Sequence, residues 1–277
     1  MYNIVFLILN YNSFEKLKDC VRSIEENCED YHIVVVDNGS SLEEVDQLEA
    51  YCKAKDNIYL MKSNINLGFA KGNNLGFRYI RKNIPCRYIA MINSDTLLTS
   101  NDFCSQLDIA YEKYKFAVLG PDVLPARSNP MIHEPNSKEK VLKEIKKTKR
   151  IIEVMKIPGI NIMYLCLNRI KNRMVNVKRI DLKKDQIDCE LHGCFLVFSN
   201  LYTLDGLCDD TFLYGEEDIL AKDCRDNHLV LLYYPEIKII HNESFATKKT
   251  IPDLIQRKLF FLTNRLDSYK ILLKKYE

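Results

Sequence analysis

Short aliphatic runs alternate with polar stretches of helical periodicity from the first residues of this chain, and that rhythm narrows the choice of fold more than anything else in it. The runs are Ile4–Leu9, His32–Val36, Ile58–Met61, Tyr88–Ile92 and Phe116–Leu119. Between them the spacing predicts helices over Phe14–Glu26, Leu42–Ala54 and Ala70–Arg81, with Ser13 and Ser41 placed as N-caps. Strands separated by helix-length crossovers pair in parallel and build an α/β sheet covered by helices. In such sheets ligands bind beyond the carboxyl ends of the strands. Residues directly after each run are therefore the first candidates for chemistry.

With 277 residues and 47% hydrophobic content, the chain can close one large core, and it reads as a single domain over 1–277. Forty basic against 38 acidic residues leave a net charge of +2, which gives no support to a nucleic-acid partner. The charge is unevenly spread. Between Lys138 and Lys184 fifteen basic residues face four acidic ones, a net of +11, so the remainder carries −9. This segment, about 137–184, reads as a basic helical insertion broken at Pro158-Gly159. It separates the half 1–125 from the half 188–277. A solvated helix pair would look the same as a patch resting on anionic lipid.

Beyond the insertion, Cys189–Ser199 and Leu229–Tyr234 read as strands. Ile251–Lys275 reads as a helix, with Leu254, Leu259, Leu262, Leu266 and Leu272 on its packing face. The ten cysteines are dispersed without a C-x-x-C pair, and are expected to be reduced and mostly buried. The N-terminal apolar run is too short for a signal or a membrane span, so the expected location is cytoplasmic, with any membrane contact peripheral.

Several strand ends carry polar clusters. Asp37 opens the turn D-N-G-S, where Gly39 can take positive φ and Ser40 can offer a hydroxyl; an Asx-turn capping the next helix is the plain alternative. Residues 63–74, SNINLGFAKGNN, bring glycines and amides to a helix entry, where free N–H groups can attract a diphosphate. Asn93-Ser94-Asp95 ends a strand, and a carboxylate there can hold a divalent cation or merely cap a turn. Glu216-Glu217-Asp218 crowds three acids after F-L-Y-G. Crowding can raise one pKa toward neutrality, although a helix N-terminus also attracts acids. His241, after Ile237–Ile240, can supply an imidazole to a metal or serve only in packing.

Taken in order, L-N-Y-N-S (9–13), V-V-D-N-G-S (35–40), N-L-G-F-A-K-G-N-N (66–74), N-S-D (93–95), F-L-Y-G-E-E (212–217) and I-I-H (239–241) resemble family 2 glycosyltransferases, nearest to the bacterial rhamnosyltransferase-like branch. The resemblance covers 1 to about 125 and about 188 to 265, and implies a nucleotide-binding half, 1–125, and an acceptor and catalytic half, 188–277. It implies a GT-A fold, a Rossmann-like mixed sheet flanked by helices, and inverting transfer from a nucleotide-diphosphate sugar, UDP- or dTDP-linked, to a glycan or lipid-linked acceptor. Leu9, Asn10, Asn12, Asp37, Gly39, Ser40, Asn66, Gly68, Phe69, Asn73, Asn93 and Ser94 would form the donor pocket, with Asp37 on the base. Asp95 and His241 would hold Mn2+ or Mg2+. Glu217 would be the general base with Glu216 beside it, and Asp218 takes that role if the register slips by one. Asn93 departs from the pattern, standing where a D-x-D motif has its first carboxylate.

Two other readings make different demands. A sugar nucleotidyltransferase needs a glycine-rich basic loop after the first strand, and the loop here is N-Y-N-S-F. A binding protein that had lost catalysis would be expected to lose Asp95 or the acid cluster, and both are present.

Overall fold

The computed structural model describes residues 2–125, 137–174, 184–241 and 251–277. Its centre is a nine-stranded mixed sheet. Strands β1 (Tyr2–Asn10), β2 (Tyr31–Asn38), β3 (Ile58–Ser63) and β4 (Cys86–Asn93) run parallel in the order β3-β2-β1-β4. Helices α1 (Phe14–Asn27), α2 (Leu42–Lys53) and α3 (Phe69–Asn83) join them, each within a few residues of the sequence expectation. Beyond β4 the sheet turns mixed. It continues through β8 (Phe195–Ser199), antiparallel to β4, then β6 (Val118–Leu124), β9 (Leu231–His241) and the short β5 (Thr96–Leu98). The two-residue β7 (Gln186–Ile187) pairs with β9.

Because β-strand side chains alternate between faces, β1 feeds two cores. Ile4, Phe6 and Ile8 pack with α1 and with α4 (Phe103–Tyr114). Val5 and Leu7 pack under α3 and α7 (Glu216–Asp226). A third core joins α5 (Lys138–Met155) to α8 (Leu254–Lys274) through Val141, Ile145, Ile152 and Met155 against Leu262, Leu266 and Leu272. Thus the first part of the basic segment is anchored by its apolar stripe, and α6 (Ile160–Met174) follows the Pro158-Gly159 break. Residues 175–183 of that segment lie outside the described residues.

Some local expectations are corrected. Only Phe195–Ser199 of the expected 189–199 strand is paired as β8, and His192–Cys194 forms a loop leading into it. The strand expected over Leu229–Tyr234 is longer and runs on to His241, absorbing the 237–240 run. Ser13 and Ser41 stand at N-cap positions, yet neither side chain caps its helix. All ten cysteines are free thiols, six of them buried.

Candidate active site

Register builds the site at the carboxyl ends of the parallel strands. Asn10 at the end of β1 lies beside Asp37 at the end of β2, and Leu9 lies beside Asn93 at the end of β4. On the far side Thr96 pairs with His241, so Asp95, one residue earlier, meets the imidazole: Asp95 Oδ1 is 3.1 Å from His241 Nε2. Because β8 runs against β4, its N-terminal end comes to the same edge. The Cys194 carbonyl accepts the Asn93 N–H there at 2.9 Å.

A cavity of about 630 Å³ opens over these ends. One side is polar, formed by Ser13, Asn38, Asn66, Asn93, Ser94 and Asp95, with Leu9, Tyr11, Gly68 and Phe69. Glu216 and Glu217 of α7 also line the cavity, with Phe212 and Tyr214 before that helix, and Phe260 and Phe261 of α8. His192, Gly193, Cys194 and His241 complete the lining.

Asn10, Asn12, Asp37, Gly39, Ser40 and Asn73 are not on the cavity wall. The first five form or border a supporting layer beneath it. Buried Asn10 donates from Nδ2 to Asp37 Oδ1 (3.2 Å) and to Ser40 Oγ (3.3 Å), and the Ser40 N–H donates to Asp37 Oδ2 at 3.2 Å. Ser40 Oγ also accepts the Asn12 N–H at 2.9 Å. Ser13 Oγ donates to Asn10 Oδ1 at 3.0 Å and lies 2.8 Å from Ser94 Oγ, which explains why it does not cap α1. Gly39 is required by its φ of +78° and by close approach, since a Cβ would lie 2.5 Å from the Ile65 carbonyl carbon. Asn73 is buried on α3 and donates to the Phe69 carbonyl of its own helix at 3.0 Å.

The entry to α3 differs from the expected open cradle for a diphosphate. The Leu67 N–H goes to Asn38 Oδ1 (2.9 Å), that of Gly68 to Asn66 Oδ1 (2.9 Å) and that of Phe69 to the Phe212 carbonyl (2.6 Å). These three amides are occupied within the protein. They tie the motif to the loop before α7, and Gly68, at φ +85°, leaves room for the Phe212 carbonyl.

The three acids separate by environment. Asp218 is buried and paired with Arg265 of α8, away from the cavity wall. Glu216 and Glu217 line the cavity at the first turn of α7. Burial, then the charge of Glu217, pushes Glu216 up to about 8, and burial raises Glu217 as well. The charge of one carboxylate opposes ionisation of the other. The Glu216 atom Oε1 is buried without a hydrogen-bond partner.

His192 had no sequence signal beyond preceding a glycine and an apolar run. Burial, then His241, lowers its pKa to about 4, so the ring is neutral at ordinary pH. Its Nδ1 accepts the Cys194 N–H at 3.2 Å, which leaves the ring proton on Nε2. Donor atoms of His192, Cys194 and His241 lie within 4.8 Å of one another, and Asp95 adjoins His241. Oxygen and imidazole donors suit Mn2+ and its neighbours. The Asp95–His241 pair fits a divalent cation, since a carboxylate oxygen and the ring Nε2 stand 3.1 Å apart, close enough to serve as two ligands of one ion. Cys194 fits poorly, because burial, with Asp95 adding to it, holds it as the neutral thiol.

Comparison with known proteins bears on the fold and the family. Residues 5–130 match the family Glycosyl transferase family 2. That stretch, a little under half of the chain, is what the chain shares with glycosyltransferase family 2. The chain is 23% identical over 239 residues to the low-salt glycan biosynthesis hexosyltransferase Agl10 of Haloferax volcanii, a match over 86% of the chain that spans 66% of that relative's length. Its fold is of GT-A type. It superposes on S. aureus TarS 1-349 with a TM-score of 0.54 at 10% identity, over 99% of this chain and 70% of the other. Mannosyltransferase PcManGT from Pyrobaculum calidifontis, solved with GDP-Man and Mn2+, gives 0.54 at 11% identity over 99% and 73%.

Proposed function

We propose that this glycosyltransferase moves a hexose-type sugar, with inversion, from a UDP- or dTDP-linked donor to a hydroxyl of a glycan or lipid-linked acceptor in cell-surface polysaccharide synthesis at the cytoplasmic side of the membrane. The observation that carries the reading is one cavity lined together by Asp95, His241, Glu216 and Glu217. PcManGT, with its nucleotide sugar and Mn2+, and the hexosyltransferase Agl10 support the donor class.

Asp95 and His241 would hold a divalent cation, Mn2+ or Mg2+, which when bound supplies positive charge to the departing diphosphate. The nucleotide lies over the ends of β1, β2 and β4, positioned by Asn38, Asn66 and Ser94 and by the scaffold of Asn10, Asp37 and Ser40 beneath. Glu217 takes the proton from the acceptor hydroxyl as its oxygen bonds to the anomeric carbon and the bond to the diphosphate breaks. Glu216, kept protonated beside it, leaves the single charge of the pair on Glu217. The aromatic wall of Phe212, Tyr214, Phe260 and Phe261 receives the acceptor and excludes water.

Glu217→Gln retains the shape and removes the base, so kcat is expected to fall by on the order of a hundredfold or more with donor affinity nearly unchanged. Glu216→Gln is expected to retain more activity. Full activity of Glu217→Gln beside a dead Glu216→Gln moves the base by one position; normal turnover by both removes the acid pair from the mechanism.

A further inference from the structure

Helix α6 is turned inside out. Ile160, Met163, Leu167 and Ile170 recur at the spacing of one helical face, and all are exposed, Met163 by 57%, Leu167 by 58% and Ile170 by 53%. Ile162, 58% exposed, and Cys166 widen that face. The half-buried side instead holds Tyr164 and Leu165, packed against the α5/α8 core, together with the polar Asn161 and Asn168. Burying an aliphatic side chain gains about 1.5–3 kcal/mol over leaving it in water, so a helix with this many outward lacks an apolar neighbour among the described residues.

The charge around it indicates which neighbour. From Lys138 to Met174 eleven basic residues stand against three acidic ones. Lys143, Lys146, Lys149 and Arg150 of α5 and Arg169 of α6 itself are exposed. A second copy of the chain laid on this face would oppose one cationic segment to another. An apolar stripe flanked by lysine and arginine matches a bilayer interface, with acyl chains below and anionic head groups beside. No described helix is long and apolar enough to cross a membrane, which leaves attachment along the surface.

We propose that α6 inserts its Ile160-Met163-Leu167-Ile170 face into the interface of an anionic bilayer, with α5 supplying the electrostatic attraction. Because α5 packs on α8, and α8 carries Phe260 and Phe261 of the cavity, docking couples the membrane surface to the active-site wall through one helix pair.

The chain contains no tryptophan, so Leu167→Trp introduces a unique reporter at an exposed position. Phosphatidylcholine vesicles containing phosphatidylglycerol are expected to shift its emission to the blue and allow quenching by brominated acyl chains. Pure phosphatidylcholine is expected to bind more weakly, and added salt to weaken the anionic case. In co-sedimentation, Met163→Gln/Leu167→Gln/Ile170→Gln is expected to lose at least about tenfold in partitioning at an unchanged melting temperature. Unshifted emission with anionic vesicles, wild-type partitioning by the triple variant, or a vesicle-independent dimer that the triple variant dissolves would each overturn the proposal. No donor, cation or acceptor is present in these measurements, so their failure leaves the transfer reading standing.

Discussion

Gly193 stands directly against the Glu217 carboxylate. A Cβ there would lie 2.5 Å from Glu217 Oε1, whereas its φ is one that other residues adopt freely. Gly193→Ala should therefore push the carboxylate aside without straining the backbone. A misplacement of about 1 Å at a reacting group can cost on the order of a hundredfold, so kcat should fall by roughly ten- to a hundredfold with a melting temperature close to wild type. Steady-state kinetics beside a thermal melt checks this, and wild-type kcat would mean that Glu217 tolerates displacement. The loop also shows what single residues reveal. Asp95, His241 and the acid pair were legible because charged groups at strand and helix ends stand out among apolar runs. His192 was not, because H-G-C-F-L reads as the start of a buried strand. Its role depends on where β8 begins, and pairing of Ile92 with Phe195 sets that start from far away in the chain.

The elements of the first half were readable because their cause is local: period-two runs and period-3.6 stripes lie within each segment. Antiparallel insertion of β8 between β4 and β6 was not, since nothing in Phe195–Ser199 names its partners. Helix α8 was expected to pack through its leucines, and Leu259, Leu262, Leu266 and Leu272 do, whereas Leu254 in its first turn is exposed, and Phe260 and Phe261 also face the cavity. The same helix holds α7 in place. Arg265 pairs with buried Asp218, and Asp218 together with burial pushes Glu190 up to about 8. Arg265→Met removes the cation from this buried group of acids, and breaking such a pair costs roughly 3–5 kcal/mol. Urea unfolding should show that loss, and Asp218→Asn in the same chain should recover part of it by removing the stranded charge. Equal stability of wild type and Arg265→Met would mean that Asp218 is adequately held without Arg265.

At the scale of the molecule, the two halves that bear the motifs are not separate bodies, since β4 of the first pairs directly with β8 of the second and one cavity draws walls from both. The order of the motifs made this fold class legible, while the basic segment between them gave its charge and not its inverted helix. A ligand spanning the cavity contacts both halves and stabilises the folded chain as a unit by mass action, about 2.7 kcal/mol at a hundred times its Kd. For a chain of this size that corresponds to a rise of roughly 5–10 °C in Tm. UDP or dTDP with Mn2+ is expected to produce such a rise, and either component alone a smaller one, because a cation held by Asp95 and His241 would have coordination positions left for diphosphate oxygens. In Asp95→Ala the extra rise with Mn2+ should disappear while the unliganded melting temperature stays near wild type, Asp95 being a cavity side chain outside the apolar cores. A nucleotide effect that is the same with and without cation, or an Asp95→Ala variant that keeps the Mn2+-dependent rise, would remove Asp95 from cation binding while leaving the nucleotide pocket intact.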